Sequence, residues 1–121
     1  MKVIRPFIDG EQLWLGDKPG TFRKVFKCMD NTNTNNFSLG ITVFEPGEGN
    51  ITHNHPISEE VDYVISGSGI TFDSQGNIIH RFKKGDILFY KEGEFHRHFN
   101  DGEETLQLLC FYSPHSELPS R

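Results

Sequence analysis

The sequence predicts an all-β domain, a barrel or sandwich of short strands. Short apolar runs recur at regular spacing, glycine stands at nearly every expected turn, and no stretch has the period of an amphipathic helix. With 121 residues the chain can build one core and is too short for two. We therefore expect a single domain over residues 1–121, with an N-terminal arm at 1–20, strands at about 21–113 and a tail at 114–121.

The N-terminal half begins irregularly and then alternates. Proline and glycine interrupt the arm, which therefore predicts only a short edge strand, one that could lie across a partner subunit. Residues 21–29 and 39–44 alternate between apolar and other side chains, which predicts two strands. The polar tract at 30–36, rich in asparagine, predicts the loop between them.

The C-terminal half predicts a hairpin and three further strands. The hairpin pairs 70–73 with 78–82 around a turn at 74–77, which contains glycine and asparagine. The other strands cover 87–90, the residues around His96, and 105–112. We expect the phenylalanines in or beside strands to pack in the core, Phe89 and Phe95 among them. The tail has no pattern and predicts a segment that is loose or packed on a neighbouring subunit.

Composition excludes some functions. A formal charge of -5 argues against nucleic acid and against an anionic membrane surface as partners. Two cysteines, Cys28 and Cys110, are too few for a disulfide scaffold. The longest apolar run, Leu108 to Tyr112, is too short to span a bilayer, and no signal-peptide pattern follows Met1. These features predict a cytoplasmic location.

Two stretches contain the residues suited to chemistry. In the first, His53 and His55 stand two apart, so in a strand both imidazoles would face the same side, and Pro56 would end that strand before Glu59 and Glu60. The second stretch supplies His96 from a later strand. Three histidines and one glutamate suit a divalent transition metal and would leave two positions of an octahedral ion open.

These stretches resemble the paired motifs of the cupin superfamily. The first motif, Gly, five residues, His-x-His, three or four residues, Glu, six residues, Gly, falls on Gly47, His53, His55, Glu60 and Gly67.

The second motif, Gly, five residues, Pro-x-Gly, two residues, His, three residues, Asn, falls on Gly85, Gly93, His96 and Asn100. Lys91 stands where the family usually has proline, which puts the rigidity of that turn in question and removes no ligand.

The resemblance implies a double-stranded β-helix, the jelly-roll barrel, with its site inside. It implies one divalent metal, Fe, Mn, Ni, Zn, Co or Cu, held by His53, His55, Glu60 and His96. Glu60 is preferred to Glu59 by its spacing from Gly67, so Glu59 should face the opposite side of the strand.

Two further residues are candidate catalytic groups. His98 has the parity of His96 and should face inward, as a partner of the ligands, a substrate contact or a proton shuttle, or else as a rim histidine bonded to Asn100 or water. Asp62 has the parity of Glu60 and is either an acid or base near the metal or a residue exposed by strand twist.

Cupins host many activities, so several functions stay open. The first is a metal-dependent enzyme, of dioxygenase type, acting on a small oxygenated substrate. The second is a non-redox isomerase, epimerase or lyase acting on a sugar-like or hydroxy-acid substrate, with Asp62 or His98 as base. The third is a barrel that binds a small ligand without catalysis. A barrel with apolar outer residues and an N-terminal arm also predicts a homodimer.

Overall fold

The computed structural model describes residues 1–116, and these residues are almost entirely β-structure. One helical turn, α1 (Pro6–Asp9), precedes the strands. The strands within the described residues are β1 (Glu11–Leu15), β2 (Arg23–Met29), β3 (Ser38–Phe44), β4 (Glu59–Ser66), β5 (Ser68–Phe72), β6 (Ile78–Lys83), β7 (Ile87–Tyr90), β8 (Arg97–Phe99) and β9 (Leu106–Ser113). In residues 1–116 no helix has the length and apolar character needed to cross a membrane.

The strands form two antiparallel sheets. One has six strands in the order β1-β2-β3-β9-β4-β7, and the other has three in the order β6-β5-β8. The sheets are connected as a double-stranded β-helix, which confirms the predicted fold class.

The core lies between the two sheets and is centred on β9. Alternate residues of this strand point inward, so Leu106 and Leu108 are fully buried and Cys110 and Tyr112 nearly so. Phe44 and Val64 from neighbouring strands of the same sheet and Phe82 from the other sheet complete the main cluster. Phenylalanine, leucine and valine thus fill one end of the barrel interior, and the polar site described below occupies the other part.

Gly67 shows why the first motif ends in glycine. It joins β4 to β5 with a φ of 79°, a left-handed backbone that glycine adopts without strain. A Cβ atom built there would lie 2.5 Å from the carbonyl oxygen of Thr105. The chain can therefore turn from one sheet to the other at this position only with glycine.

Most predicted elements are confirmed, including the 30–36 loop, the hairpin with its turn at 74–77, and β7. The arm contains the short edge strand that was expected, because β1 pairs with β2 at the edge of the six-stranded sheet. Two expectations were wrong. Phe89 and Phe95 are half exposed, since β7 is an edge strand whose odd-numbered residues face outward and Phe95 lies in a loop.

The beginning of the tail is packed on the barrel, contrary to expectation. The backbone N–H of Ser116 donates to Oγ of Ser38, 3.0 Å away, and Oγ of Ser38 donates to the carbonyl of Ser116 at 2.8 Å. The rest of the tail lies outside the described residues.

Candidate metal centre

His53 and His55 lie on an irregular segment that runs antiparallel beside β8, at the edge of the three-stranded sheet. The predicted regular strand is wrong here, because glycines and Pro56 interrupt the ladder, and only isolated bridges form. In one of them the N–H of His53 donates to the carbonyl of His96 at 3.0 Å, and the N–H of His96 donates back at 2.9 Å. This reciprocal pair fixes two histidines side by side, with ring centroids 4.4 Å apart.

The four predicted metal ligands converge inside the barrel. One ligand atom from each of His53, His55, Glu60 and His96 lies within 4.8 Å of the others. All four side chains are buried, and Glu60 is only 1% exposed, whereas Glu59 points to solvent. The predicted inward parity of Glu60 is therefore correct, and the cluster could hold a metal ion.

Hydrogen bonds outside the cluster orient the imidazole rings. Nδ1 of His53 donates to the carbonyl of Ile51 at 2.8 Å, and Nδ1 of His96 donates to the carbonyl of Glu94 at 3.0 Å. A carbonyl oxygen can only accept, so in the neutral rings the Nδ1 atoms carry the hydrogens and the Nε2 atoms keep their lone pairs. Metal-binding histidines are held in this way by partners of the other ring nitrogen.

The inward atoms lack hydrogen-bond partners of their own. Nε2 of His55 and of His96 lie 3.2 and 3.0 Å from Oε1 of Glu60, yet none of these three atoms makes an aligned hydrogen bond. Buried polar atoms without partners are costly, and lone pairs pointing at one another repel. A cation at the point of convergence would satisfy all three, so the residues fit a transition metal of the kind that binds imidazole and carboxylate.

The charge state of the cluster agrees with this fit. Burial pushes the pKa of Glu60 upward, but contacts with His55 and His96 outweigh it and hold that pKa well below its usual value. Burial, assisted by His96, lowers the pKa of His53 to about 4, which keeps this imidazole neutral at pH 7. Burial also lowers the pKa of His96, but Glu60 outweighs it and the net shift is upward. A proton and a metal ion would therefore compete for Nε2 of His96.

Two tyrosines that the sequence analysis did not single out support the ligands. The ring of Tyr90 stacks on His96 with centroids 3.8 Å apart and an angle of 11° between the planes. The ring of Tyr112 lies 4.2 Å from that of His55. Both tyrosines are buried, and their sequence signal was inward parity on β7 and β9.

His98 is buried beside the cluster and belongs to a separate network. Asn50 accepts from the backbone N–H of His98 through Oδ1 at 2.7 Å, so its Nδ2 is the group that faces Nδ1 of His98 at 3.4 Å. Nδ1 must then accept, and the ring hydrogen lies on Nε2, 3.1 Å from the hydroxyl of Tyr90. This tautomer is opposite to that of His53 and His96, so His98 offers no lone pair to the ion. Because His98 is buried, the alternative of a rim histidine bonded to Asn100 is wrong.

Asp62 points inward and is completely buried, so strand twist does not expose it. Its Oδ2 lies 3.2 Å from Nε2 of His98, without an aligned hydrogen bond. Burial and then the charge of Glu60 raise the pKa of Asp62 well above its usual value. Burial and then the charge on His96 lower the pKa of His98 to about 3. The pair is therefore a neutral acid next to a neutral imidazole, enclosed behind the ligands.

The second motif forms the turn before His96 and, through Asn100, anchors the chain directly after β8. The N–H of Lys91, which a proline would lack, donates to Oε1 of Glu94 at 3.0 Å. Nδ2 of Asn100 donates to the carbonyls of Phe44 and Glu104, each at 2.9 Å. In this turn the hydrogen bond from Lys91 to the Glu94 side chain takes the place of the proline ring found in the usual motif.

Comparison with known proteins agrees with the fold and the motifs. The family model of the cupin domain matches residues 40–112, well over half of the chain. The chain belongs to the cupin family. This cupin is 30% identical over 114 residues to germin-like protein subfamily 2 member 1 of Arabidopsis thaliana; the match covers 84% of the chain and 51% of the relative. The chain thus spans about half the length of that curated relative.

Solved structures show the same barrel. A predicted oxalate decarboxylase from Thermotoga maritima superposes with a TM-score of 0.79 at 20% identity, covering 93% of this cupin and 99% of that chain. A putative sugar phosphate isomerase from Acidithiobacillus ferrooxidans has a TM-score of 0.70 at 26% identity, covering 88% of this cupin and 68% of that chain. Their different names agree with a fold that hosts many reactions.

Proposed function

We propose that this cupin is a metal-dependent enzyme acting on a small oxygenated organic substrate, with dioxygenase-type chemistry as the first candidate. The observation that supports the proposal is the convergence of buried Nε2 atoms on Oε1 of Glu60, with the Nδ1 hydrogens of His53 and His96 already committed to carbonyls. A site that served only as a surface metal staple would not need this degree of burial. Three imidazoles and one carboxylate would leave coordination positions for substrate.

A divalent transition metal bound there would polarise substrate oxygens or pass electrons to dioxygen. The chain's own residues supply the rest of the site. His53, His55 and His96 would bind the ion through ring nitrogens. The stacked ring of Tyr90 restricts rotation of the His96 ring. The core residues and Asp62 close the far side, which keeps bulk water away from the reacting atoms.

A non-redox isomerase, epimerase or lyase is the second candidate, and the Asp62–His98 pair favours it. Asp62 is held in its protonated form next to Glu60, and His98 is held neutral, 3.2 Å from it. Because Nε2 of His98 carries the ring hydrogen and Nδ1 accepts from Asn50, Asp62 is the member of the pair that can give up a proton. A buried carboxylic acid that stays protonated is the kind of group that serves as a general acid. The putative sugar phosphate isomerase among the structural relatives lends this candidate some support.

Oxygen dependence separates the candidates. The protein is purified without added metal, its metal content is measured by elemental analysis, and oxygen uptake is followed with a panel of small hydroxy acids, keto acids and enediols. Substrate loss with oxygen uptake supports the dioxygenase, and equal turnover under nitrogen supports the isomerase or lyase. Ligand-induced thermal stabilisation without turnover would overturn the enzyme and leave a binding protein. Absence of stoichiometric metal would overturn both catalytic candidates.

A further inference from the structure

Strand β7 forms an open sheet edge made only of uncharged residues. It ends the six-stranded sheet, and its sequence over Ile87–Tyr90 reads ILFY. Natural edge strands usually carry charged side chains, which discourage another strand from pairing with them. An edge strand of the other sheet follows that rule, since β6 contains Arg81 and Lys83. Strand β7 carries no such charge and is therefore suited to pairing.

A groove separates this edge from the other sheet. The groove has a volume of about 400 Å³ and is lined mainly by residues of β6 and β7. The outward side chains of β7 are well exposed, Ile87 by 68% and Phe89 by 56%. Their neighbours on β4 are Tyr63 and Val61. An apolar strip on the outer face of the sheet thus leads up to the open edge.

The backbone groups of Ile87 and Phe89 point out of the sheet at this edge. The N–H of Val64 on β4 donates to the carbonyl of Asp86 at 3.0 Å, so the even-numbered residues of β7 direct their backbone groups toward β4. The direction alternates along a strand of an antiparallel ladder. The N–H and carbonyl groups of Ile87 and Phe89 therefore lie on the open side, where another strand can pair with them.

One register matches these outward groups with those of a second copy of β7. In an antiparallel pair related by a twofold axis perpendicular to the sheet, Ile87 of each copy lies opposite Phe89 of the other. The N–H and carbonyl groups that point outward on one copy then meet the carbonyl and N–H groups of the other. Outward side chains also stay opposite outward side chains, which a shift by one residue would prevent.

The two neighbouring registers each need a donor that is already committed. A shift in one direction brings Lys91 into the pairing, but its N–H donates to Oε1 of Glu94 at 3.0 Å. A shift in the other direction brings Gly85 into the pairing, but its N–H donates to the carbonyl of Val64 at 2.9 Å. The hydrogen bonds within the chain thus select the register that pairs Ile87 with Phe89.

The same register brings complementary side chains together. On the outer face Ile87 packs against Phe89 of the second copy, so that the apolar strips of the two sheets join. Lys84 stands three residues before Ile87 and Glu92 stands three residues after Phe89, so this register places Lys84 beside Glu92 of the second copy. Both charged residues are exposed, and the twofold axis makes each contact occur twice.

We propose that two copies of this chain associate through their β7 strands, joining the two six-stranded sheets into one continuous sheet across a twofold axis. Reciprocal backbone hydrogen bonds fix the register, and burial of Ile87 and Phe89 removes apolar surface from water. Strand β7 contains none of the candidate metal ligands, so the inference does not depend on the proposed function.

The mass of the protein in solution tests the interface. Light scattering after size-exclusion chromatography is measured in EDTA, so that metal has no influence, for the native chain, Phe89→Glu and Trp14→Glu. Trp14 is the matched control because it is an aromatic residue, 69% exposed, on β1 at the opposite edge of the same sheet. We expect the native chain and Trp14→Glu to be dimers and Phe89→Glu to be a monomer.

A charge exchange tests the register. Lys84→Glu and Glu92→Lys each place like charges opposite each other in their own homodimers, so each should weaken association by about 10-fold. An equimolar mixture of the two variants restores opposite charges at both contacts, so the mixed dimer should form with nearly native affinity. Circular dichroism and the melting temperature of each variant show that it is folded.

Three results would overturn the proposal. The first is a native chain that is monomeric at micromolar concentration. The second is a folded Phe89→Glu variant that dimerises as tightly as the native chain. The third is a mixture of Lys84→Glu and Glu92→Lys that associates no more tightly than either variant alone.

Discussion

Replacing Glu60 by glutamine should nearly abolish metal-induced stabilisation, whereas the same change at Glu59 should have no effect. Glu60 is 1% exposed and supplies the carboxylate of the cluster, while its neighbour points to solvent. Glutamine keeps the size of the side chain but removes the negative charge, so the two variants differ only in which side of β4 loses a charge.

The magnitude follows from binding linkage. At a metal concentration 100 times the dissociation constant, the native protein gains about 2.7 kcal/mol of unfolding free energy. For a domain of this size that gain corresponds to a rise of about 10 °C in melting temperature. If Glu60→Gln weakens binding about 100-fold, the gain at the same metal concentration falls to about 0.4 kcal/mol, or roughly 2 °C.

The assay is thermal unfolding after treatment with EDTA and again after each divalent ion is restored. The measured quantity is the difference between the two melting temperatures of one variant, so a change in the stability of the metal-free form does not interfere. An equal metal-induced rise in Glu60→Gln and Glu59→Gln would refute the reasoning. It would show that the carboxylate does not face the ion.

Further predictions follow from the same contacts. The double variant His53→Ala/His96→Ala should retain the barrel by circular dichroism but contain no stoichiometric metal by elemental analysis; metal at the native level would contradict the ligand assignment. Tyr90→Phe removes a hydroxyl bonded to Thr71 at 2.7 Å and to His98 at 3.1 Å, and should cost about 1–3 kcal/mol in urea unfolding without loss of metal; an unchanged midpoint would show that the network is not stabilising. Lys91→Pro loses one exposed hydrogen bond and reduces the entropy of the unfolded chain, so its unfolding free energy should stay within about 1 kcal/mol of the native value; a larger loss would mean that the turn cannot accept proline torsions. The homodimer stays a prediction, and light scattering that gives the monomer mass at micromolar concentration would contradict it.

Much of the fold was predictable because alternation and turns are local. Inward parity placed Glu60, Asp62 and His98 correctly, since each belongs to a strand whose register is fixed by a buried face. The spacing of the motif glycines then located the ligands along the chain. Both signals depend only on neighbouring residues.

The orientation of the rings could not be predicted in the same way. Ile51 and Glu94 fix His53 and His96 through backbone carbonyls, which any residue could supply, so the sequence carries no trace of these bonds. Asn50 selects the tautomer of His98 from a position 48 residues away. Phe89 was assigned to the core because hydrophobicity alone does not distinguish an edge strand from a central one.

Arg23 was visible in the sequence but was not singled out. It shares one face of the predicted strand with Val25 and Lys27, so the sequence does not mark that face as buried. Only the packing of β2 against the barrel shows that the side chain is enclosed, because its surroundings come from residues distant in sequence.

The hydrogen bond between His55 and Ser116 links the candidate metal centre to a distant part of the chain. Nδ1 of His55 lies 2.8 Å from Oγ of Ser116, which is anchored in turn on Ser38. A protease cut or a truncation just before this serine would leave every ligand in the protein but release one imidazole from its outer tether. Metal binding would then depend on a segment that contributes no ligand. Preparations cleaved at this point would differ from the intact protein in bound metal but not in fold.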